Sequence, residues 1–392
     1  MGKQKIITRT ILLVSFVSFF NDIASEMLYP IMPVYLKSIG FSIILIGILE
    51  GIAEATAGLS KGYFGNLSDT TGKRLPFVQF GYMLSAISKP MMAFLTTPLW
   101  IFAARTSDRL GKGIRTGARD AMLSDETIPE HKGRVFGFHR AFDTLGASIG
   151  PILALVYLYY YPEQYKWLFI IAFIPGLLSI FLTFFIKEKK RKIIDIPIKK
   201  PGFLSYLSYW KTASRNYKLL VIGLLAFAFF NSSDAFLLLA LKAKGMSDSQ
   251  MIAVYIFYNL IYALFALPIG IIADKIGMWK TLIFGLFVFA VVYLGMSISI
   301  QWWHFGILFF LYGIYAAATE GVSKALISNI SDKKETATAI GFYTSFVSIF
   351  ALMASSIGGL LFMINPIIMF AFSGIGVLFV AFFFMFIKIN NE

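Results

Sequence analysis

The sequence predicts an all-α membrane protein in which twelve transmembrane helices form two pseudo-symmetric six-helix bundles. Three observations predict it. Of 392 residues, 58% are hydrophobic and 14% charged, where an ordinary soluble domain carries about 25% charge, and the mean hydropathy is +0.74. Long apolar segments recur along the whole chain, and a helix of about 20 such residues crosses a bilayer. The two halves also repeat one another at a nearly constant offset.

The first six segments run over 10–38, 43–64, 75–95, 98–122, 135–160 and 167–186, and six more over 219–241, 250–273, 281–299, 302–328, 337–362 and 366–388. Met1 to Arg9 is short and basic and leads directly into the first segment, which outruns a signal-peptide core and is read as a retained span. These segments divide the chain into a first bundle over 1–186, a basic cytoplasmic linker over 187–218 and a second bundle over 219–392. Lys3, Lys5, Arg9, Lys73, Arg74, Lys132, Arg134, the run Lys187–Lys192, Lys275, Lys280, Lys333, Lys334 and Lys388 fall on one side of this plan. Only Lys37, Lys166, Lys242 and Lys244 fall on the other, so both termini and the linker are expected in the cytoplasm, with the chain in the inner (cytoplasmic) membrane. The same distribution accounts for the net charge of +14 without a nucleic-acid partner.

The repeat is visible residue by residue. Gly65-Asn-Leu-Ser-Asp69-Thr-Thr-Gly72 returns as Gly270-Ile-Ile-Ala-Asp274-Lys-Ile-Gly277, and Gly40 as Gly245, at an offset of 205. Phe19-Phe20-Asn21 returns as Phe229-Phe230-Asn231, and Gly137-Phe138 as Gly341-Phe342. Repeated halves of this kind bind substrate near the midplane and rock about it. The glycines suit a tight turn, and the carboxylates suit a helix start or a basic partner.

The motif Gly65-x-Leu67-x-Asp69-x-x-Gly72-Lys73-Arg74 between spans two and three resembles the loop signature of the major facilitator superfamily, with Gly270, Asp274 and Gly277 in a looser second copy. The resemblance extends over nearly the whole chain. It implies the major facilitator fold, a monomer, alternating access, and a gating role for the motif residues. Gly146-Ala-Ser-Ile-Gly150-Pro151 in span five resembles an element of the drug:proton antiporter branch, although Ile152-Leu153-Ala154 replaces the further glycines of that pattern. As a packing notch the same residues let helices approach closely.

Ionisable residues inside spans are costly and usually face a cavity or one another. Span four carries Arg105, Asp108, Arg109, Lys112, Arg115, Arg119 and Asp120, on an arc of roughly 140° at about 100° per residue. Span one presents Asn21, Asp22, Ser25, Glu26 and Tyr29 on one face; span two adds Glu50, Glu54 and Lys61, span three Lys89, and span five His139, Arg140 and Asp143. The expected solute and proton pathway comprises Asn21, Asp22, Glu26, Glu50, Glu54, Arg105, Asp108, Arg109, Lys112, His139, Arg140, Asp143, Asn231 and Asp234. Asp22, Glu26 and Asp143 are the expected proton carriers. Arg115, Arg119 and Asp120 are assigned to structure or gating, with Asp120 latching Lys73 or Arg74. The second half is more aromatic, and its Glu320 and Lys324 stand four apart in the order that favours pairing.

The expected function is secondary transport of a small solute, as proton-coupled efflux, with import or facilitated passage of a small organic anion held by Arg105, Arg109 and Lys112 as the alternative. An enzyme is not expected: there is no His-Glu-x-x-His, no phosphate-binding glycine loop after a strand and no Gly-x-Ser-x-Gly elbow. With no cysteine and three histidines, neither a metal site nor a cofactor is expected.

Overall fold

A computed structural model describes residues 6–188, 201–298 and 301–387, and every regular element among them is helical. In chain order the helices are α1 (Arg9–Glu26), α2 (Met32–Ser38), α3 (Ile43–Thr71), α4 (Leu75–Phe94), α5 (Pro98–Asp125), α6 (Lys132–Tyr160), α7 (Tyr165–Thr183), α8 (Tyr209–Thr212), α9 (Arg215–Phe230), α10 (Asp234–Ala243), α11 (Asp248–Ile276), α12 (Met278–Ile298), α13 (Trp302–Ile330), α14 (Thr336–Ile364) and α15 (Pro366–Phe386). Residues 189–200 of the expected linker, with Lys189, Lys190, Arg191 and Lys192, lie outside the described residues, as do Lys3, Lys5 and Lys388.

Eight stretches among the described residues are long and apolar enough to cross a membrane, from α6 onward, with α9 and α10 counted as one. The sequence predicts twelve. The shortfall falls on α1, α3, α4 and α5, where Asp22, Glu26, Glu50, Glu54, Lys61, Lys89 and the charged stripe of α5 depress the hydropathy. A second departure from uniform spans is that the first and seventh segments are broken. Pro30 lies in the gap between α1 and α2 and Pro33 in the first turn of α2, and proline removes a backbone donor and clashes with the preceding turn. Asn231-Ser232-Ser233 separates α9 from α10, and the Ser233 hydroxyl accepts the Ala235 N–H to start α10.

The chain falls into two compact units. The first comprises Met1–Ile128, Phe142–Lys211 and Asp332–Ser345; the second comprises Pro129–Ala141, Thr212–Ser331 and Phe346–Glu392. Each unit therefore takes one segment from the other half of the chain. In the first unit α5 packs against α3 and α4, α4 against α7, and α7 against α1. In the second unit α13 packs against α11 and α12, α12 against α15, and α15 against α9. The same pattern of neighbours is thus built twice. The core of the first unit gathers Ile23, Met27, Tyr35, Leu49, Met92, Ile101 and Phe169, and the Tyr35 hydroxyl donates to the Met92 carbonyl at 2.7 Å.

The repeat motif is equally duplicated in backbone. Gly72 ends α3 in the left-handed helical region at φ +64°, which costs other residues roughly 1–2 kcal/mol, and Gly277 ends α11 at φ +105°, also positive but outside that region. Gly65 and Gly270 mark close crossings. A methyl on Gly65 would lie 2.3 Å from the Ala337 carbonyl oxygen, and one on Gly270 would lie 2.3 Å from the Gly133 carbonyl oxygen.

Candidate functional site

In the first unit an open polar cavity is lined by Asp22, Ser25, Glu26 and Tyr29 from α1 and the turn after it, and by Arg105, Asp108, Arg109, Lys112 and Arg115 from α5. Helix period explains the lining: positions 22, 25, 26 and 29 share one face, as do 105, 108, 109, 112 and 115. α6 fixes the α1 wall. A methyl on Gly146 would meet the Phe19 carbonyl oxygen at 2.5 Å, and one on Gly150 the Met27 amide nitrogen at 2.7 Å. Gly146, Gly150 and the intrahelical Pro151 therefore seat the helix that carries Asp22 and Glu26.

Most of the buried charge is consumed internally. Glu50 accepts two bonds from Arg105, at 2.7 and 2.8 Å, a bidentate geometry that favours strong pairing. Asp108 takes Lys89 at 2.9 Å and Arg105 at 3.5 Å. Glu54 faces Arg109 at 3.5 Å. Arg119 meets Asp120 at 2.9 Å and Asp143 at 3.9 Å, and donates to Ser18 at 2.9 Å. Ser18 also accepts the Tyr82 hydroxyl at 3.2 Å, so α1, α4 and α5 are tied by polar contacts at one point. Asn21 donates to Asp22 at 3.2 Å.

Four groups on the cavity wall are left. Asp22 and Glu26 have no ion-pair partner among the described residues, and Lys112 and Arg115 have no carboxylate partner there. Arg115 donates to Ser85 at 2.6 Å and lies 4.5 Å from the ring centroid of Tyr82. Assigned to structure or gating, Arg115 also lines the cavity with the deeper residues. Tyr82 was not singled out in the sequence; its recurrence on the polar face of α4 with Ser85 and Lys89 was the available signal.

The gating motif has a different arrangement from the expected latch. Asp69 meets Arg74 at 2.7 Å and accepts the Thr338 amide and hydroxyl at 2.6 and 2.7 Å, which caps the first turn of α14. Arg74 also reaches Asp125 at 3.2 Å, and Asp120 is held by Arg119. Neither Lys73 nor Arg74 pairs with Asp120, because Asp125 closes the last turn of α5 nearer the loop. In the second unit Asp274 accepts the amides of Gly133 and Arg134 at 2.7 and 2.9 Å and so caps α6. Thr338, Gly133 and Arg134 carry no side-chain signature of this role, since the donors are mostly backbone. Beside the α14 cap, burial and the charges of Asp332 and Asp69 push the Glu335 carboxyl above its ordinary range.

The remaining expected residues belong to the second unit. His139 is buried on α6. Arg140 pairs with Glu320, which is thereby drawn away from the expected Lys324 pair. Asn231 donates to Tyr315 at 3.2 Å, and Asp234 accepts the hydroxyls of Tyr312 and, at 3.3 Å, Tyr258.

Comparison with known proteins adds three findings. The family model of the Major Facilitator Superfamily matches residues 14–257 and 219–392. An uncharacterized MFS-type transporter of Methanocaldococcus jannaschii is 34% identical over 375 residues, covering 94% of this chain and 92% of that protein, and a multi-drug resistance efflux pump PmrA homolog of Lactococcus lactis is 22% identical over 81% of this chain and 79% of its own. Among solved structures, the human organic anion transporter MFSD10 superposes with a TM-score of 0.78 at 16% identity over 97% of this chain and 100% of that one. The Escherichia coli fucose:proton symporter FucP gives 0.75 at 12%, over 98% and 100%.

Proposed function

The chain belongs to the major facilitator superfamily, and on that premise we propose that it exports a small charged solute across the cytoplasmic membrane by alternating access, in exchange for protons. One observation carries this reading. Of the seven carboxylates that the sequence places inside the first six spans, Glu50, Glu54, Asp108, Asp120 and Asp143 are paired with cations, while Asp22 and Glu26 face the cavity without an ion pair among the described residues. A carboxylate that faces a cavity without a direct ion pair gains and loses a proton according to what else occupies the site. Solute and proton then compete for Asp22 and Glu26: protonation displaces the solute and neutralises the wall for the return step. The relative named as an efflux pump agrees with the outward direction.

Under this reading twelve spans form two bundles, 1–186 and 219–392, with both termini in the cytoplasm and a monomer as the working unit. The Asp69 cap on α14 and the Asp274 cap on α6 serve as latches that form in one conformation and release in the other. A second reading has its own observation. Lys112 and Arg115 line the cavity without an ion pair to a carboxylate among the described residues, which suits a small organic anion. Arg105, committed to Glu50 and Asp108, drops out of that anion site.

The test is flux into proteoliposomes under an imposed pH gradient. Export reading: solute moves against the proton gradient, and Glu26→Gln or Asp22→Asn uncouples it. Flux that ignores the gradient and survives both substitutions would sink the proposal. Flux of organic anions that requires Lys112 and Arg115 would replace it with the second reading.

A further inference from the structure

The second unit holds a carboxylate that the transport reading does not yet use. Asp234 is the first residue of α10, directly after the break that follows α9. Its oxygens accept the phenol hydroxyls of Tyr312 and Tyr258, and no cation pairs with it among the described residues. The rings around it are contiguous: Tyr258 and Tyr312 lie 5.1 Å apart between centroids, Tyr312 and Tyr315 5.2 Å, and Tyr255 and Tyr258 5.8 Å. Tyr315 is bonded in turn to the Asn231 amide nitrogen, and the Asn231 amide oxygen is buried with no hydrogen-bond donor. Ser233 and Ala235 on either side of Asp234 are exposed, while the Tyr258, Tyr312 and Tyr315 rings are buried.

A lone carboxylate, an unmet acceptor and a row of tyrosine faces lack the same thing. Each is completed by a cation that carries an N–H. The carboxylate supplies the counter-charge, the rings supply the attraction of a π face for a cation, and Asn231 accepts the remaining proton donor. A chelated metal ion does not fit, since two of the surrounding groups donate hydroxyl protons and there is one carboxylate. We infer that Asp234, Asn231 and the Tyr258–Tyr312–Tyr315 row form a subsite for a protonated organic amine, preferring an ammonium that keeps at least one N–H over a fully substituted one. This names the solute class of the transport reading and rests on it.

Equilibrium binding to the full-length protein in detergent tests the subsite without any gradient. Benzyldimethylammonium, with one N–H, is titrated by calorimetry against benzyltrimethylammonium, with none, and benzoate. The amine binds the unaltered chain, and Asp234→Asn weakens it about tenfold or more, the scale of one lost charge-assisted contact. Benzyltrimethylammonium binds more weakly than the tertiary amine, and benzoate is unaffected by the substitution. If Asp234→Asn does not fold, Tyr312→Leu, which leaves the carboxylate in place, is expected to weaken the amine and not benzoate. No amine binding to the unaltered chain, or binding unchanged by both substitutions, overturns the subsite. Loss of pH coupling in Asp234→Asn with amine affinity unchanged makes Asp234 a proton site and also overturns it. Amine binding that depends on Asp234 in a protein without pH-driven flux removes only the export reading.

Discussion

Lys89 and Asp108 show how a single residue is tolerated in an apolar bundle. Lys89 is 1% exposed and its ammonium lies 2.9 Å from Asp108 and 3.0 Å from the Ser85 carbonyl. Removing one member of a buried pair costs about 3–5 kcal/mol, an upper figure for Lys89 because Arg105 still lies 3.5 Å from Asp108. Lys89→Met is therefore expected to lower the thermal midpoint sharply, and Lys89→Met with Asp108→Leu to recover part of the loss, which a double-mutant cycle in detergent measures. Equal losses in the single and double variants would show that the pair does not act as a unit. The presence of Lys89 and Asp108 inside spans was legible in the sequence, but their pairing was not, because helical period assigns a residue to a face and says nothing of which neighbouring helix that face meets. The same limit explains Arg115, assigned to gating yet lining the cavity with Glu26 and Lys112.

At the scale of elements, the crossings of α3 with α14 and of α11 with α6 depend on absent side chains. Gly65 and Gly270 each leave room for a backbone carbonyl 2.3 Å from where a methyl would sit. Gly65→Val and Gly270→Val are each expected to destabilise by about 1–3 kcal/mol through overpacking, read as a fall in the thermal midpoint, with transport lost in the same variants. If either variant keeps both its midpoint and its flux, the crossing it marks is not needed. The glycines were visible as a repeated motif, with the turn at Gly72 and Gly277 confirmed by their positive φ. The breaks after α1 and α9 were hidden, since continuous hydropathy across 10–38 and 219–241 masks a local loss of backbone hydrogen bonds. Those breaks matter because Asp234 begins α10 directly after the second of them and Tyr29 stands in the first.

At the scale of the whole molecule, the duplicated caps make a symmetric prediction. Asp69 accepts donors at the start of α14, and Asp274 accepts two amides at the start of α6. Removing an N-terminal cap costs about 0.5–2 kcal/mol, and if both caps are latches that cost appears in the conformational step and leaves solute affinity alone. Asp69→Ala and Asp274→Ala are each expected to change the maximal transport rate with KM unaltered, as measured by initial rates in proteoliposomes. A change in KM without a change in rate would move these residues from the latch to the solute path. Arg74 joins Asp69 to Asp125, so Arg74→Lys, which keeps the charge but loses the fork that reaches two carboxylates, is expected to reproduce part of the Asp69→Ala effect in the same assay.

By itself the sequence determined the class of protein, its apolar helices, the internal repeat and the family, because these follow from composition and from spacing along the chain. It also determined that the buried charge gathers in the first half. Only the tertiary structure decided which charges cancel. Glu50, Glu54, Asp108, Asp120 and Asp143 are indistinguishable from Asp22 and Glu26 as residues in a span, and what separates them is whether an Arg or Lys, on another helix for all but Asp120, comes within ion-pair reach. Electrostatic pairing depends on distance in space, which a one-dimensional pattern does not contain.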